Sequence, residues 1–251
     1  MSVDFRLDGR TALVTGARSG IGQAIAAGFA RAGADLVLLG RTGDLEETVE
    51  LVRGEGRSAQ TFALDLSRPE AVPEAISGLL QRRRIDILVN NAGVIRRGPA
   101  EDVGYDAWRE VMAVNLDAVF LLARACGAAM AGRGSGRIIT IGSLLSFQGG
   151  VNVAAYAASK HAVVGMTKAL ANEWAARGVQ VNAIAPGYIV TENTRPLRED
   201  EERSQAIGAR IPAGRWGDPE DIVGAAVFLA APASAYVNGH TLVVDGGWMG
   251  R

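Results

Sequence analysis

One cysteine, two histidines and a net charge of −1 are the scarcities that first constrain this chain of 251 residues. A lone Cys126 forms no internal disulfide, and His161 and His240 with no cysteine pair leave a zinc site almost no ligands, so no metal is expected. The near balance of 26 basic and 27 acidic side chains lacks the basic excess of a nucleic-acid surface, and no nucleic-acid partner is expected. The N-terminal MSVDFRLDGR carries charges where a secretion signal needs an apolar stretch. The longest apolar segment, 222–237, is broken by Gly224, Pro232 and Ser234 and is too short to span a bilayer. The expectation is a soluble, cytoplasmic protein with no membrane partner.

What the chain has is apolar residues, 48% against 21% charged, enough for a substantial core. They fall into alternating strand and helix patterns. Strands are expected over 11–15, 35–39, 61–64, 85–90, 137–141, 180–184 and 241–244. Helices are expected over 20–32, 45–53, 70–83, 106–131, through Tyr156 to about 176, and over 218–229. Strands of continuous rather than alternating apolarity belong in a sheet covered on both faces. The reading is an α/β fold, a doubly wound seven-stranded parallel sheet of the Rossmann kind in three αβα layers, with 1–251 forming one domain. The one long irregular stretch, 188–216, is dense in charge and interrupted by Pro196 and Pro212; a connection of that length reads as a lid or binding loop.

Two stretches carry chemistry. Gly16, Gly20 and Gly22 lie between the first strand and the first helix, where glycines permit a sharp turn and let a pyrophosphate approach free helix N–H groups. Further on, Ser143 follows a strand, and Tyr156 and Lys160, four apart, share one face of a helix. Lowering a phenol pKa from about 10 to about 7 requires roughly 4 kcal/mol. A lysine charge about 4 Å away at an effective dielectric near 20 supplies about 4 kcal/mol. A hydrolase reading lacks support, since no G-x-S-x-G surrounds Ser143.

In order along the chain stand Thr15-Gly-Ala-Arg-Ser-Gly-Ile-Gly22, Asp65-Leu66, Asn90-Asn91-Ala92-Gly93, Asn115, Ser143, Tyr156-x-x-x-Lys160 and Pro186-Gly187. This joint pattern resembles the short-chain dehydrogenase/reductase family over essentially the whole length. The resemblance implies a nicotinamide-dependent oxidoreductase acting on a CH–OH group. It assigns catalysis to Asn115, Ser143, Tyr156 and Lys160. It assigns the dinucleotide to Gly16, Arg18, Ser19, Gly20, Ile21, Gly22, Asp65, Leu66, Asn91, Ala92, Gly93, Tyr156, Lys160, Pro186, Gly187, Ile189 and Thr191. Lys160 is expected to lower the Tyr156 pKa and hold the nicotinamide ribose, and Asn115 to link the lysine to water. At the end of the second strand stands Gly40-Arg41 in place of an acidic residue, so the cofactor is expected to be NAD with NADP possible, Arg41 meeting the adenosine end.

Within the family, 87–97, 143–150, 172–194, 210–217 and 236–248 resemble members acting on deoxy-sugar acids. A carboxylate needs a cation or well-placed donors, and Arg96, Arg195, Ser143, Gln148 and Tyr156 are the expected substrate contacts. Arg97, Arg203, Arg210 and Arg215 are further arginines in or near the expected lid. Other readings are a different sugar-acid dehydrogenase, a long-chain 3-oxoacyl reductase, or a dinucleotide-sensing module without catalysis. The long helix from Asp106 and the Tyr156 helix are apolar over much of their circumference, and the family commonly pairs these helices, so a homotetramer is expected.

Overall fold

A computed structural model describes residues 4–250. Seven strands form one parallel sheet in the order β3-β2-β1-β4-β5-β6-β7: β1 Thr11–Thr15, β2 Asp35–Gly40, β3 Ala59–Ala63, β4 Ile87–Asn90, β5 Gly136–Ile141, β6 Val179–Pro186 and β7 Thr241–Val244. The order reverses between β1 and β4, which pair directly through Ala12–Ile87, Leu13–Leu88 and Val14–Val89. Strand ends diverge at such a reversal, and ligands of doubly wound sheets bind in the crevice it opens.

The alternating faces of the strands feed two cores. Ala12, Val14, Leu36, Leu38, Ile87 and Val89 pack with Ile25 and Phe29 of α1 (Gly20–Arg31) and Ile222 and Leu229 of α9 (Glu220–Ala230). Leu13, Val37, Leu39 and Leu88 pack with Ile76 and Leu79 of α3 (Val72–Arg82), Leu122, Cys126 and Met130 of α5 (Ala118–Arg133), and Trp174 of α6 (Ala154–Trp174). The helix α2 (Glu46–Gly54) adds Val49 and Val52 to the first core.

Four differences from the expected pattern have physical causes. The strand expected over 61–64 lies at Ala59–Ala63, because its ladder with β2 begins at Leu36–Ala59; as an edge strand it is partly exposed, not covered on both faces. The helix expected over 106–131 is α4 (Tyr105–Met112) joined to α5 by a π turn, Ala113–Asp117. Together they run 29 residues, Tyr105–Arg133, and by length and composition alone are apolar enough to cross a membrane, unlike the 222–237 segment. This helix is packed against α3 and α6, and 56% of its most apolar window is buried.

The fourth difference is in 188–216, which is not irregular. It forms α7 (Arg195–Glu199) and α8 (Glu201–Arg210). Pro196 sits in the first turn of α7, where its missing N–H costs nothing, and the Asp200 carboxylate caps α8 by accepting from Arg203 N at 3.0 Å. Leu197, Ile207 and Ile211 pack with Tyr188, Trp216 and Trp248 into a third, smaller core.

The α5–α6 contact gives a direct test of this packing. A Cβ at Gly127 would lie 2.2 Å from the buried Trp174 ring, so Gly127→Ala forces that ring to move. The expected loss is about 1–3 kcal/mol in urea unfolding. An unchanged midpoint would show that the contact is looser than described.

Candidate active site

The glycine turn is built around a hydroxyl and an amide. Thr15 Oγ1 accepts from the backbone N–H groups of Asn91 and Ala92, each at 3.0 Å, and donates to Val89 O. Asn91 Nδ2 returns to Thr15 O at 2.9 Å and Gly16 O at 3.1 Å. These bonds hold the ends of β1 and β4 together under the turn. Space is then the limiting resource. A Cβ on Gly22 would meet Gly16 O at 2.3 Å, and Gly16 and Gly20 adopt φ of +64° and +58°. Ser19 precedes α1 without a side-chain cap, so the first-turn N–H groups face a cleft of about 620 Å³ whose wall includes Gly16, Ser19, Gly20 and Ile21.

The cleft continues past Asn91, Ala92 and Gly93 to Pro186, Gly187, Ile189 and Thr191, and also takes in Ser143, Gln148, Tyr156 and Lys160. An uncapped helix start, a turn too tight for side chains and a pocket of this volume fit a dinucleotide pyrophosphate. Gly22 stands behind the turn as packing, and Arg18, Arg41, Asp65 and Leu66 lie off the cleft wall. Arg18 pairs with Asp44 at 3.1 Å, Arg41 is exposed, the Asp65 carboxylate accepts from Ser67, and Leu66 is buried in the second core.

Lys160 is buried beneath this wall, its Nζ donating to Ile141 O at 2.7 Å. Its ammonium lies 5.5 Å from the centre of the Tyr156 ring. Asn115, in the π turn, exchanges two bonds with Val94: Oδ1 accepts from the N–H at 2.8 Å, and Nδ2 donates to the carbonyl at 2.9 Å. Nδ2 also donates to Ser159 Oγ at 3.2 Å, and Ser159 donates to Tyr156 O at 2.7 Å. Gly93 separates Asn115 from Lys160; a Cβ there would lie 3.4 Å from Asn115 Oδ1 and 3.8 Å from Lys160 Nζ. Ser143 accepts from Leu145 N at 3.1 Å, which fixes its hydroxyl at the end of β5.

Burial and neighbouring groups set the electrostatics of the site. Burial raises the Tyr156 phenol above its ordinary pKa, outweighing the Ser143 hydroxyl and the Arg97 guanidinium, both of which lower it. Burial lowers the Lys160 ammonium itself to about 8. The Arg97 guanidinium that lowers the phenol also donates to Asn193 O at 3.0 Å.

The arginines correct one expectation. Arg96 is turned away and paired with Glu110, and Arg195 is held by Glu192 and Glu199 on the surface. Neither reaches the cleft. Arg97, Arg203 and Arg210 do, while Arg215 is locked to Asp221 outside it. Arg210 lies 3.9 Å over the Trp248 ring, whose Nε1 donates to Gln148 Oε1 at 3.2 Å. Neither Trp248 nor the Thr15 hydroxyl was among the expected site residues. Trp248 arrives from beyond β7, and no local spacing announces it.

A phenol, a hydroxyl, a buried lysine and a dinucleotide-shaped turn in one cleft define the class, and the comparisons agree. Residues 16–249 match a family model described as enoyl-(acyl carrier protein) reductase. The chain belongs to the short-chain dehydrogenase/reductase family. It is 58% identical over 247 residues to the 2-dehydro-3-deoxy-D-gluconate 5-dehydrogenase of Bacillus subtilis (strain 168), covering 98% of this chain and 97% of that one. A Beutenbergia cavernae structure with NADP at low occupancy is 59% identical with a TM-score of 0.97, covering 99% of this chain and 100% of that one. A gluconate 5-dehydrogenase from Burkholderia cenocepacia J2315, in complex with NADP and tartrate, is 44% identical with a TM-score of 0.95, covering 99% and 98%.

The buried lysine has a pH signature. From about pH 8 to the ordinary lysine value of 10.5 the unfolded chain holds a proton at Lys160 that the folded chain has released. Stability therefore rises with pH across that window. Relative to Lys160→Met, the wild type should gain up to about 3 kcal/mol of unfolding free energy between its ends. A pH-independent difference in urea titrations would contradict the burial.

Proposed function

We propose that this protein is a cytoplasmic NAD(P)-dependent dehydrogenase that reversibly oxidises the C5 hydroxyl of 2-dehydro-3-deoxy-D-gluconate to a ketone. The observation that carries the reading is that Arg97, Arg203 and Arg210 share one cleft with Ser143, Tyr156 and Lys160. Three guanidinium groups suit a small anionic substrate and have little use in a site for long neutral acyl chains. The name borne by the Bacillus subtilis relative supports the same substrate.

When bound, the nicotinamide dinucleotide supplies the two-electron acceptor. The glycine turn and the start of α1 hold its pyrophosphate, and Asn91, Ala92, Gly93, Pro186, Gly187, Ile189 and Thr191 line its berth. With Gly40 and exposed Arg41 where an acidic residue would repel a 2′-phosphate, either NAD or NADP is accommodated. Ser143 holds the substrate oxygen, and Tyr156 takes its proton during oxidation and returns it during reduction. Arg97 favours the phenolate. Lys160, braced on Ile141 O, adds positive charge behind the ring, and Asn115 keeps the adjoining backbone in place. Residues 188–216 form a lid over one catalytic domain, tethered to Arg97 through Asn193 O. Phe120 on α5 and the exposed Gly165 and Ala169 of α6 suit helix pairing in a homotetramer.

Rates with NAD and NADP across 2-dehydro-3-deoxy-D-gluconate, D-gluconate and a 3-hydroxyacyl thioester test the substrate class; preference for the thioester would sink it. Tyr156→Phe should lower kcat by roughly 10²–10⁴-fold while dinucleotide binding survives. Arg203→Met should raise KM for the sugar acid roughly tenfold with a smaller effect on kcat. Sedimentation as a stable monomer would remove the tetramer.

A further inference from the structure

The Gln148–Trp248 bond joins segments 100 residues apart, and its chemistry is one-directional. An indole N–H donates and cannot accept. The group that meets it must therefore be the Gln148 carbonyl oxygen, which settles the orientation of an amide that otherwise flips freely. The Gln148 amide nitrogen then lies on the opposite branch of the same planar group. Among the described residues it has no protein partner and is not a buried orphan, and Gln148 is part of the cleft wall.

The indole is itself held by two further side chains. Arg210 stacks 3.9 Å from its centre and the Tyr188 ring lies at 4.7 Å, so the N–H direction is set by packing rather than by Gln148. Burial to 5% exposure leaves the ring little room to turn.

We propose that Trp248 is a positioning residue for substrate selection: it locks Gln148 so that its amide nitrogen, and not its oxygen, is left to join Arg203 and Arg210 as donors of the cleft. Such a surface matches the end of a substrate that can only accept, a carboxylate beside a 2-oxo group, and this assignment rests on the sugar-acid reading above. A Gln148 released from the indole is free to present its oxygen, which repels the same end.

The test uses the holoenzyme, with NADP bound, and 2-dehydro-3-deoxy-D-gluconate as the probe. Trp248→Phe keeps the ring against Arg210 and Tyr188 but removes the N–H. Its KM should rise roughly tenfold with kcat held within about twofold, the signature of lost uniform binding. Gln148→Leu should show a similar loss, and the double variant should lose no more than either alone, because the two act as one unit. An unchanged KM in Trp248→Phe, or full additivity in the double variant, overturns the proposal. Calorimetric binding of the same 2-oxo acid is read in parallel on all four proteins. A wild type that binds without turnover refutes the dehydrogenase reading while the Trp248 effect is still scored on affinity. A wild type that neither binds nor reacts overturns both.

Discussion

The joint between β1 and β4 is the constraint on which the site depends. At the reversal of strand order two parallel neighbours must separate to admit a ligand, yet they stay paired up to the residue before the opening. Thr15 and Asn91 hold the two ends at that point with hydrogen bonds instead of bulk: one hydroxyl serves two backbone N–H groups, and one amide serves two carbonyls. Four backbone groups at the opening, Asn91 N, Ala92 N, Thr15 O and Gly16 O, are thereby met, as buried backbone requires. The glycines at 16 and 22 are the complement of this arrangement, since the bonds draw the chains closer than a side chain permits.

Downstream of that joint, burial sets the electrostatic character. The apolar walls that shape the cleft also raise the Tyr156 phenol and lower the Lys160 ammonium, so both are nearer neutral than they would be in water. Arg97 lowers the phenol and also donates to Asn193 O, so one side chain joins Tyr156 to the segment 188–216.

Much of this was legible in the sequence. The seven strands, their order of appearance and the shared helix face of Tyr156 and Lys160 follow from periodicity and spacing, because parallel strands are apolar runs and a helix places residues four apart together; Ser143 joined them through the family resemblance. The Asn115 turn was visible as an asparagine in a helix but not as a change of helical pitch, which depends on the bonds its side chain finds across the fold at Val94. Charge composition hid α7 and α8, whose few apolar anchors meet Trp248 only in three dimensions. Arginines were legible as a need and not as an address: Arg96 and Arg97 are adjacent in one loop, and Arg96 is drawn off by Glu110 of α4.

The π turn at Ala113–Asp117 has a consequence for how such a chain tolerates change. A π turn accommodates an extra residue within otherwise α-helical geometry. Each helical residue advances the phase by about 100°, so loss of a single codon here rotates the whole of α5 relative to α4 by that angle. Either Asn115 keeps its place and Leu122, Cys126 and Met130 swing out of the core, or the core is kept and Asn115 leaves Val94. Deletions that restore regular helix are for this reason among the least tolerable in the chain, while insertions at the exposed turn around Gly43 rotate nothing that the site requires.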